Sequence, residues 1–219
     1  QLAADAHPDN RREAVELANK TALRRNPEVL TALESLVEYE KDDSIVKNAR
    51  KVISQNRGTF VKDLAAAVKV DEFQPFPIGN DGTVTLPEDF VQDVTYFRDY
   101  VIPEMTKVLR GDERSCMICH GEPGRVPSME LHAPDRVGFL PVDKLLKNYH
   151  ILRKRVNLNE VANSRLLRKP LNVQTAEEEG HQGGRRYQPM DAGYQILKKW
   201  AYNQVDVQAK YFASNSNVK

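Results

Sequence analysis

The chain has 219 residues, enough for one large domain or two small ones. Hydrophobic residues make up 40% of it and charged residues 29%, fractions typical of soluble proteins. Its net charge of +1 produces no global field that would attract nucleic acid or an acidic membrane surface. No apolar run approaches the length of a membrane span, so a transmembrane segment is not predicted.

The first part of the chain carries apolar residues at helical spacing in three stretches. The first stretch is predicted to run from about residue 10 to about residue 24. The second follows Asn26-Pro27, where proline suits the first helical position. The third is predicted to end at Arg57-Gly58, with the glycine as C-cap, and it contains Ile45, Val46, Ala49, Val52 and Ile53.

The first and third stretches match at an offset of about 35 residues, a period typical of helical solenoids. The segments 12–15, 26–30 and 43–49 carry this likeness, and the region resembles HEAT repeats. An unrelated three-helix bundle is the alternative. A solenoid normally needs about three repeats for stability. We therefore expect that a following domain caps residues 1–69, or that upstream repeats are missing from this chain.

Residues 70–86 are rich in proline and turn formers, and Asn80 to Gly82 is typical of a turn. This segment is predicted to link the helical domain, residues 1–69, to a second domain, residues 87–205. Residues 206–219 end in a polar run and are predicted to form an extended tail. The predicted fold class of the whole chain is all-α.

The second domain is predicted to open with a helix at residues 87–89, where acidic side chains complement the helix dipole. Its apolar stripe, before Pro103 ends or kinks the helix, consists of Phe90, Val94, Phe97 and Val101. Shorter helices are predicted at 104–109 and 142–152. Asp191 can cap a final helix that contains Tyr194, Leu197, Trp200 and Ala201.

The segment Cys116-Met117-Ile118-Cys119-His120 has the C-x-x-C-H spacing of a c-type haem attachment site. Two thiols at this spacing can each add to one vinyl group of the same porphyrin. The histidine that follows can then take one axial position on the iron. The motif uses both cysteines of the chain. We therefore predict one covalent haem c, with Cys116 and Cys119 as its thioether attachments and His120 as the proximal iron ligand.

Two other uses of a C-x-x-C pair fit this sequence less well. A structural zinc site needs four ligands, and the chain has no second cysteine pair to supply them. A thioredoxin-like dithiol follows a strand in a βαβ pattern, whereas a helix and a polar loop are predicted before Cys116. The chain also lacks a Gly-rich phosphate loop, an H-E-x-x-H motif and a G-x-S-x-G motif.

The order of helix, haem motif, middle loops and aromatic final helix resembles that of class I cytochromes c. Residues 96–103, followed by the motif, are similar to the opening of planctomycete-type bacterial cytochrome c domains. Residues 164–171 resemble their serine-leucine-leucine-lysine-proline stretch, and residues 180–187 their His-x-Gly-Gly-x-Arg loop. Ala201 departs from the family, which usually has isoleucine after the tryptophan. The resemblance implies that the first and last helices pack beside the haem.

His181 is predicted to be the distal iron ligand, with Met190 as the alternative. Glycines at 180, 183 and 184 allow the backbone around His181 to approach a ring closely. Met190 directly precedes the predicted cap of the final helix, which restricts its reach, and it could also pack as a flexible core residue. The candidates that follow His120 too closely or fall within a predicted helix are Met129, His132 and His150. A five-coordinate or water-ligated haem is the remaining alternative.

These features predict a protein that transfers electrons through its haem and is not an enzyme. Haem is attached outside the cytoplasmic membrane in bacteria, so we expect a periplasmic or extracytoplasmic protein whose signal peptide has been removed. The expected partners are redox proteins, and the helical domain is expected to dock onto a larger membrane-associated or multi-subunit complex. No nucleic-acid partner is predicted.

Two other functions remain open for this chain. One is a haem peroxidase-like enzyme with a displaceable sixth ligand. The other is a haem-based sensor or scaffold in which the helical repeat is the interaction surface. Basic clusters at residues 153–155 and 185–186 are predicted to pair with haem propionates or steer an acidic redox partner, or to form solvated faces.

Overall fold

The computed structural model describes residues 5–20, 23, 26–68, 76, 84–108, 115–136, 138–175 and 180–211. These residues form helices and connecting loops and contain no β-strand, which confirms the predicted all-α fold class. None of the helices in this part of the chain combines the length and apolarity needed to cross a bilayer. Most of the predicted linker, 70–86, lies outside the described residues.

The chain divides into two compact units. One comprises residues 1–64 together with 134–142, and the other comprises residues 65–133 and 143–219. Segment 134–142 is therefore part of the first unit, although it follows the C-x-x-C-H motif in sequence.

The first unit contains helices α1 (Pro8–Ala18), α2 (Pro27–Tyr39) and most of α3 (Asp43–Ala67). Asn26 caps α2, because its side-chain oxygen accepts hydrogen bonds from the backbone N–H groups of Glu28 and Val29, at 2.8 and 3.4 Å. The relation of helices α1 to α3 to HEAT repeats stays a prediction. The helices share a hydrophobic core made of Val15, Ala18, Leu33, Leu36, Ile45, Ala49, Val52 and Ile53.

The predicted end of the first helix is wrong. α1 ends at Ala18, not near residue 24. The backbone N–H of Asn19 is shared between the carbonyls of Val15 and Glu16, at 3.1 and 3.2 Å, which is the tightened last turn of a helix that stops there. Residues 21, 22, 24 and 25 lie outside the described part of the chain.

The predicted C-cap at Gly58 is also wrong, because α3 continues through this residue to Ala67. Phe60 and Leu64 extend the buried stripe of the helix, at 6% and 0% exposure. Burying two large apolar side chains contributes more than the roughly 1 kcal/mol that a glycine costs inside a helix. Tertiary burial therefore outweighs the local preference of Gly58.

The helical run that begins with α4 (Glu88–Tyr96) does not end at Pro103. It continues through a π-helix (Phe97–Val101) into α5 (Ile102–Thr106). A proline lacks the N–H of a regular helix, and its ring clashes with the carbonyl four residues earlier. The wider π turns lie where that clash would fall, so the run continues past Pro103.

The α-helices that follow among the described residues are α6 (Cys116–His120), α7 (Val142–Arg153), α8 (Arg165–Arg168) and α9 (Ala192–Tyr211). The rings of Phe97, Tyr149 and Trp200 pack together, with centroids 4.9 to 5.5 Å apart. Asp93 accepts hydrogen bonds from the Tyr149 hydroxyl at 2.6 Å and from Gln204 Nε2 at 2.9 Å. Burial raises the pKa of Asp93. This core holds α4, α7 and α9 together.

The predicted tail from residue 206 is wrong for residues 206–211, which form the last turns of α9. Val207 is buried, and Lys210 Nζ lies 2.7 Å from a carboxylate oxygen of Asp89. The Tyr211 hydroxyl donates to the same carboxylate. These contacts with the start of α4 keep the polar end of the helix folded. Residues 212–219 lie outside the described part.

Replacing Gly58 with alanine is expected to raise the free energy of unfolding by about 1 kcal/mol, because alanine has the higher helix propensity. An added Cβ would meet no atom within 4 Å. Urea unfolding followed by circular dichroism measures the change. The exposed α3 variant Lys51→Ala is the control, with an expected change of only a few tenths of a kcal/mol. A loss of stability in Gly58→Ala would contradict a continuous α3.

Candidate haem site

The C-x-x-C-H motif lies on the short helix α6, which places its two cysteines on one side. Residues three apart share a helix face, so Cys116 and Cys119 lie on the same face of α6. Both are free thiols and partly exposed. Met117 between them is buried, whereas Ile118 is exposed. Burial raises the pKa of the Cys116 thiol. The pair is thus available for reaction from one direction.

His120 ends α6, and a hydrogen bond fixes its ring. Its Nδ1 lies 3.1 Å from the carbonyl oxygen of Met129. A carbonyl can only accept, so Nδ1 carries the proton and Nε2 carries the free lone pair. Burial lowers the pKa of His120, which keeps the imidazole in the neutral form that binds metals.

The loop after the motif is tied down so that the Met129 carbonyl reaches His120. The backbone N–H of Leu131 donates to the His120 carbonyl at 2.6 Å. Asn148 on α7 is fully buried, and its side-chain amide forms two hydrogen bonds with the backbone of His132, each 2.8 Å long. The end of the loop is therefore held against His120 through Leu131 and against α7 through His132.

His181 lies in the loop between α8 and α9 and has the same arrangement as His120. Its Nδ1 is 3.0 Å from the carbonyl oxygen of Gly184, so Nε2 is again the nitrogen with a free lone pair. The backbone N–H of Gly184 donates to the His181 carbonyl at 2.7 Å, which closes a tight turn. In the described part of the chain, no hydrogen bond engages Nε2 of either histidine.

The structure brings the rings of His120 and His181 together. Their centroids are 6.3 Å apart, and the two ring planes are parallel to within 1°. A metal ion bonded on opposite sides to two imidazole nitrogens, each at about 2.0 Å, separates the ring centres by about 6 Å. The observed centroid spacing of 6.3 Å is therefore the one expected for two imidazoles that share one metal ion.

The other candidate ligands are arranged differently. Met190 is 86% exposed, so its sulfur is not enclosed by the protein. His150 lies in α7 with Nδ1 3.3 Å from an Arg153 nitrogen, and burial lowers its pKa to about 4. Met129 and His132 belong to the loop that supports His120.

The donor set of this site fits the ligands that a haem needs from a protein. Among the described residues, no group of three or more histidine, cysteine or acidic side chains could hold a metal ion. A haem needs only two axial ligands from the protein, because the porphyrin supplies the others. Two opposed histidines and an adjacent pair of thiols therefore fit a covalently attached haem.

Two arginines from the predicted basic clusters lie near the site. Burial is the main cause that lowers the pKa of His120, and the positive charge of Arg155 lowers it further. The charge of Arg186 acts on Cys116 and opposes the effect of burial on its pKa. Arg155 donates to the Ser128 carbonyl, and its buried Nε has no hydrogen-bond partner among the described residues. Both cations are thus placed to balance negative charge near the candidate site.

Sequence reasoning missed several side chains that support the site. Asn148 and Asn172 each bind a backbone segment next to one of the two histidines. Glu104 is buried and accepts a hydrogen bond from the Tyr187 hydroxyl at 3.2 Å. Its carboxylate occupies the space beside Gly193, where a Cβ would lie 2.0 Å from the carboxylate oxygen. The small residue in the first turn of α9 was the one available sequence signal for this packing.

A scan against protein-family models, a search of curated proteins and a search of solved structures each returned no match for this chain. The resemblance to planctomycete-type cytochrome c domains and to HEAT repeats therefore stays a prediction from the residues themselves.

In the chain carrying the predicted haem, Gly183→Ala is expected to weaken ligation by His181. A Cβ at residue 183 would lie 2.8 Å from Cε1 and 3.2 Å from Nδ1 of the His181 ring, so the ring must move. We expect a high-spin fraction in the visible absorption spectrum of the ferric protein. Gly58→Ala, far from any close contact, is the control. A purely low-spin spectrum identical to that of the native protein would contradict this placement of His181.

Proposed function

We propose that this protein binds one haem c covalently and transfers single electrons. Cys116 and Cys119 would form the two thioether bonds, and His120 and His181 would be the axial ligands. The observation that carries the proposal is the parallel pair of rings, 6.3 Å apart, formed by His120, which ends the C-x-x-C-H motif, and His181. When bound, the haem supplies the one-electron redox chemistry. The chain binds, orients and buries it.

The protein side of the proposal rests on how each histidine is held. Main-chain carbonyls accept the Nδ1–H groups, which fixes the tautomer and the ring orientation and makes Nε2 more basic. Bis-His ligation gives a lower reduction potential than Met/His ligation. The exposure of Met190 supports the bis-His assignment.

The paired histidines also favour electron transfer over the alternative peroxidase-like function. A peroxidase needs an open or easily vacated position on the iron, whereas His120 and His181 would both bind the iron of this protein. Parts of the chain as far apart as residues 129 and 184 fix these ligands. This arrangement supports a closed haem that exchanges electrons with other proteins.

We further propose that the protein works outside the cytoplasm, as a subunit or docking partner of a larger redox complex. Covalent haem attachment in bacteria takes place outside the cytoplasmic membrane, which supports the periplasmic or extracytoplasmic location. The helices of the first unit would provide the surface for docking, as helical arrays commonly do. The partners would be other redox proteins.

Expression with a periplasmic c-type haem maturation system tests the attachment. We expect a mass increase equal to one haem under denaturing conditions. Cys116→Ser and Cys119→Ser should each leave a single thioether bond, and the double variant should carry no covalent haem. Ile118→Ala, at the exposed position inside the motif, is the matched control and should retain both bonds. A native chain that acquires no haem where a control cytochrome matures would disprove the proposal.

A further inference from the structure

The distal histidine loop is docked onto a short segment that follows α8. This segment, residues 169–172, forms one 3-10 turn and ends at Asn172, whose backbone is left-handed with φ 56° and ψ 38°. Among the described residues, Asn172 is the one non-glycine residue with a positive φ. Asparagine tolerates this conformation better than most residues, so the turn presents an amide side chain that a glycine would lack.

The side chain of Asn172 binds directly to the backbone of His181. Its Oδ1 accepts a hydrogen bond from the His181 backbone N–H at 2.7 Å. Gly180 makes this approach possible, because a Cβ at residue 180 would lie 2.5 Å from the same Oδ1. Asn172 and Gly180 therefore act together to bring the start of the loop against the turn.

The far end of the loop is anchored to the same segment. The backbone N–H groups of Arg186 and Tyr187 both donate to the Pro170 carbonyl, at 2.7 and 3.2 Å. Between the two anchors, the His181 ring is bonded to the Gly184 carbonyl. The loop is thus held at its entry by a side chain and at its exit by main-chain hydrogen bonds.

We propose that Asn172 is a positioning residue that holds His181 in place as the sixth ligand. The inference rests on the proposed function, since it concerns the same haem. Without the Asn172 bond, the entry of the loop keeps only the longer contact of Lys169 Nζ with the Gly180 carbonyl, at 3.4 Å, while the exit anchors at Pro170 remain. His181 would then leave the iron more readily, and an external ligand would compete with it more successfully.

Carbon monoxide binding to the ferrous haem protein tests this role. Asn172→Gly keeps a residue that accepts positive φ but removes the amide. At a fixed, subsaturating carbon monoxide concentration, this variant is expected to raise the ratio of carbon monoxide-bound haem to ligand-free haem about fivefold. This increase corresponds to the loss of one hydrogen bond. Asn172→Asp keeps an acceptor oxygen and should rescue the native ratio. His181→Ala gives the value for a fully open site.

Gly180→Ala is a second, independent way to break the same bond, and it should also increase carbon monoxide binding. Asn157→Gly is the matched control. Its side chain likewise accepts from two backbone N–H groups, those of Asn159 and Glu160, at 3.1 and 3.2 Å. It should leave carbon monoxide binding at the native value. Far-ultraviolet circular dichroism checks that all variants are folded.

The outcomes separate this inference from the proposed function. If Asn172→Gly and Gly180→Ala are folded, carry haem and bind carbon monoxide no better than the control, then Asn172 does not position the ligand. If His181→Ala also leaves binding unchanged, His181 is not the ligand, and both the inference and the axial assignment are wrong. If no haem is attached to the native chain, the proposed function itself fails.

Discussion

Two hydrogen bonds from imidazole rings to main-chain carbonyls set the geometry of the candidate site. His120 donates to Met129 and His181 donates to Gly184. Each bond leaves Nε2 as the nitrogen that can bind a metal, and each fixes the rotation of its ring. The rings consequently lie parallel at 6.3 Å. The proposed ligation, and with it the proposed low reduction potential and the proposed closure of the iron to small ligands, depends on these two bonds.

Main-chain carbonyls can hold a ligand only if their own loops are rigid, and two asparagines provide this rigidity. Asn148, buried on α7, clamps the loop next to His120, and Asn172, in a left-handed turn after α8, binds the loop of His181. α7 is itself fixed to α4 and α9 through the buried Asp93 and Tyr149. The side-chain amides of Asn148 and Asn172 therefore hold the two histidine loops in place.

Parts of this structure that depend on local chemistry could be predicted from the sequence. The C-x-x-C-H motif is local, and the stripe of apolar residues from Phe90 to Val101 predicted its helical run. The predicted ends of α3 and α9 were wrong, because the burial of side chains such as Leu64 and Val207 determines where these helices end. The role of Asn172 could not be predicted from the sequence, since asparagine is common in turns and its hydrogen-bond partner is known only from the fold. The choice between His181 and Met190 likewise depends on tertiary structure, and His181 stays the proposed ligand.

Electron paramagnetic resonance of the ferric haem protein tests the paired-histidine site most directly. Parallel imidazole planes make the two iron d orbitals that overlap with them unequal in energy, which gives a rhombic low-spin spectrum. Perpendicular planes leave these orbitals nearly equal and give a single, strongly shifted low-field feature. With the planes of His120 and His181 within 1° of each other, we expect the rhombic low-spin spectrum. A high-spin spectrum, or the strongly shifted feature of perpendicular ligands, would contradict it.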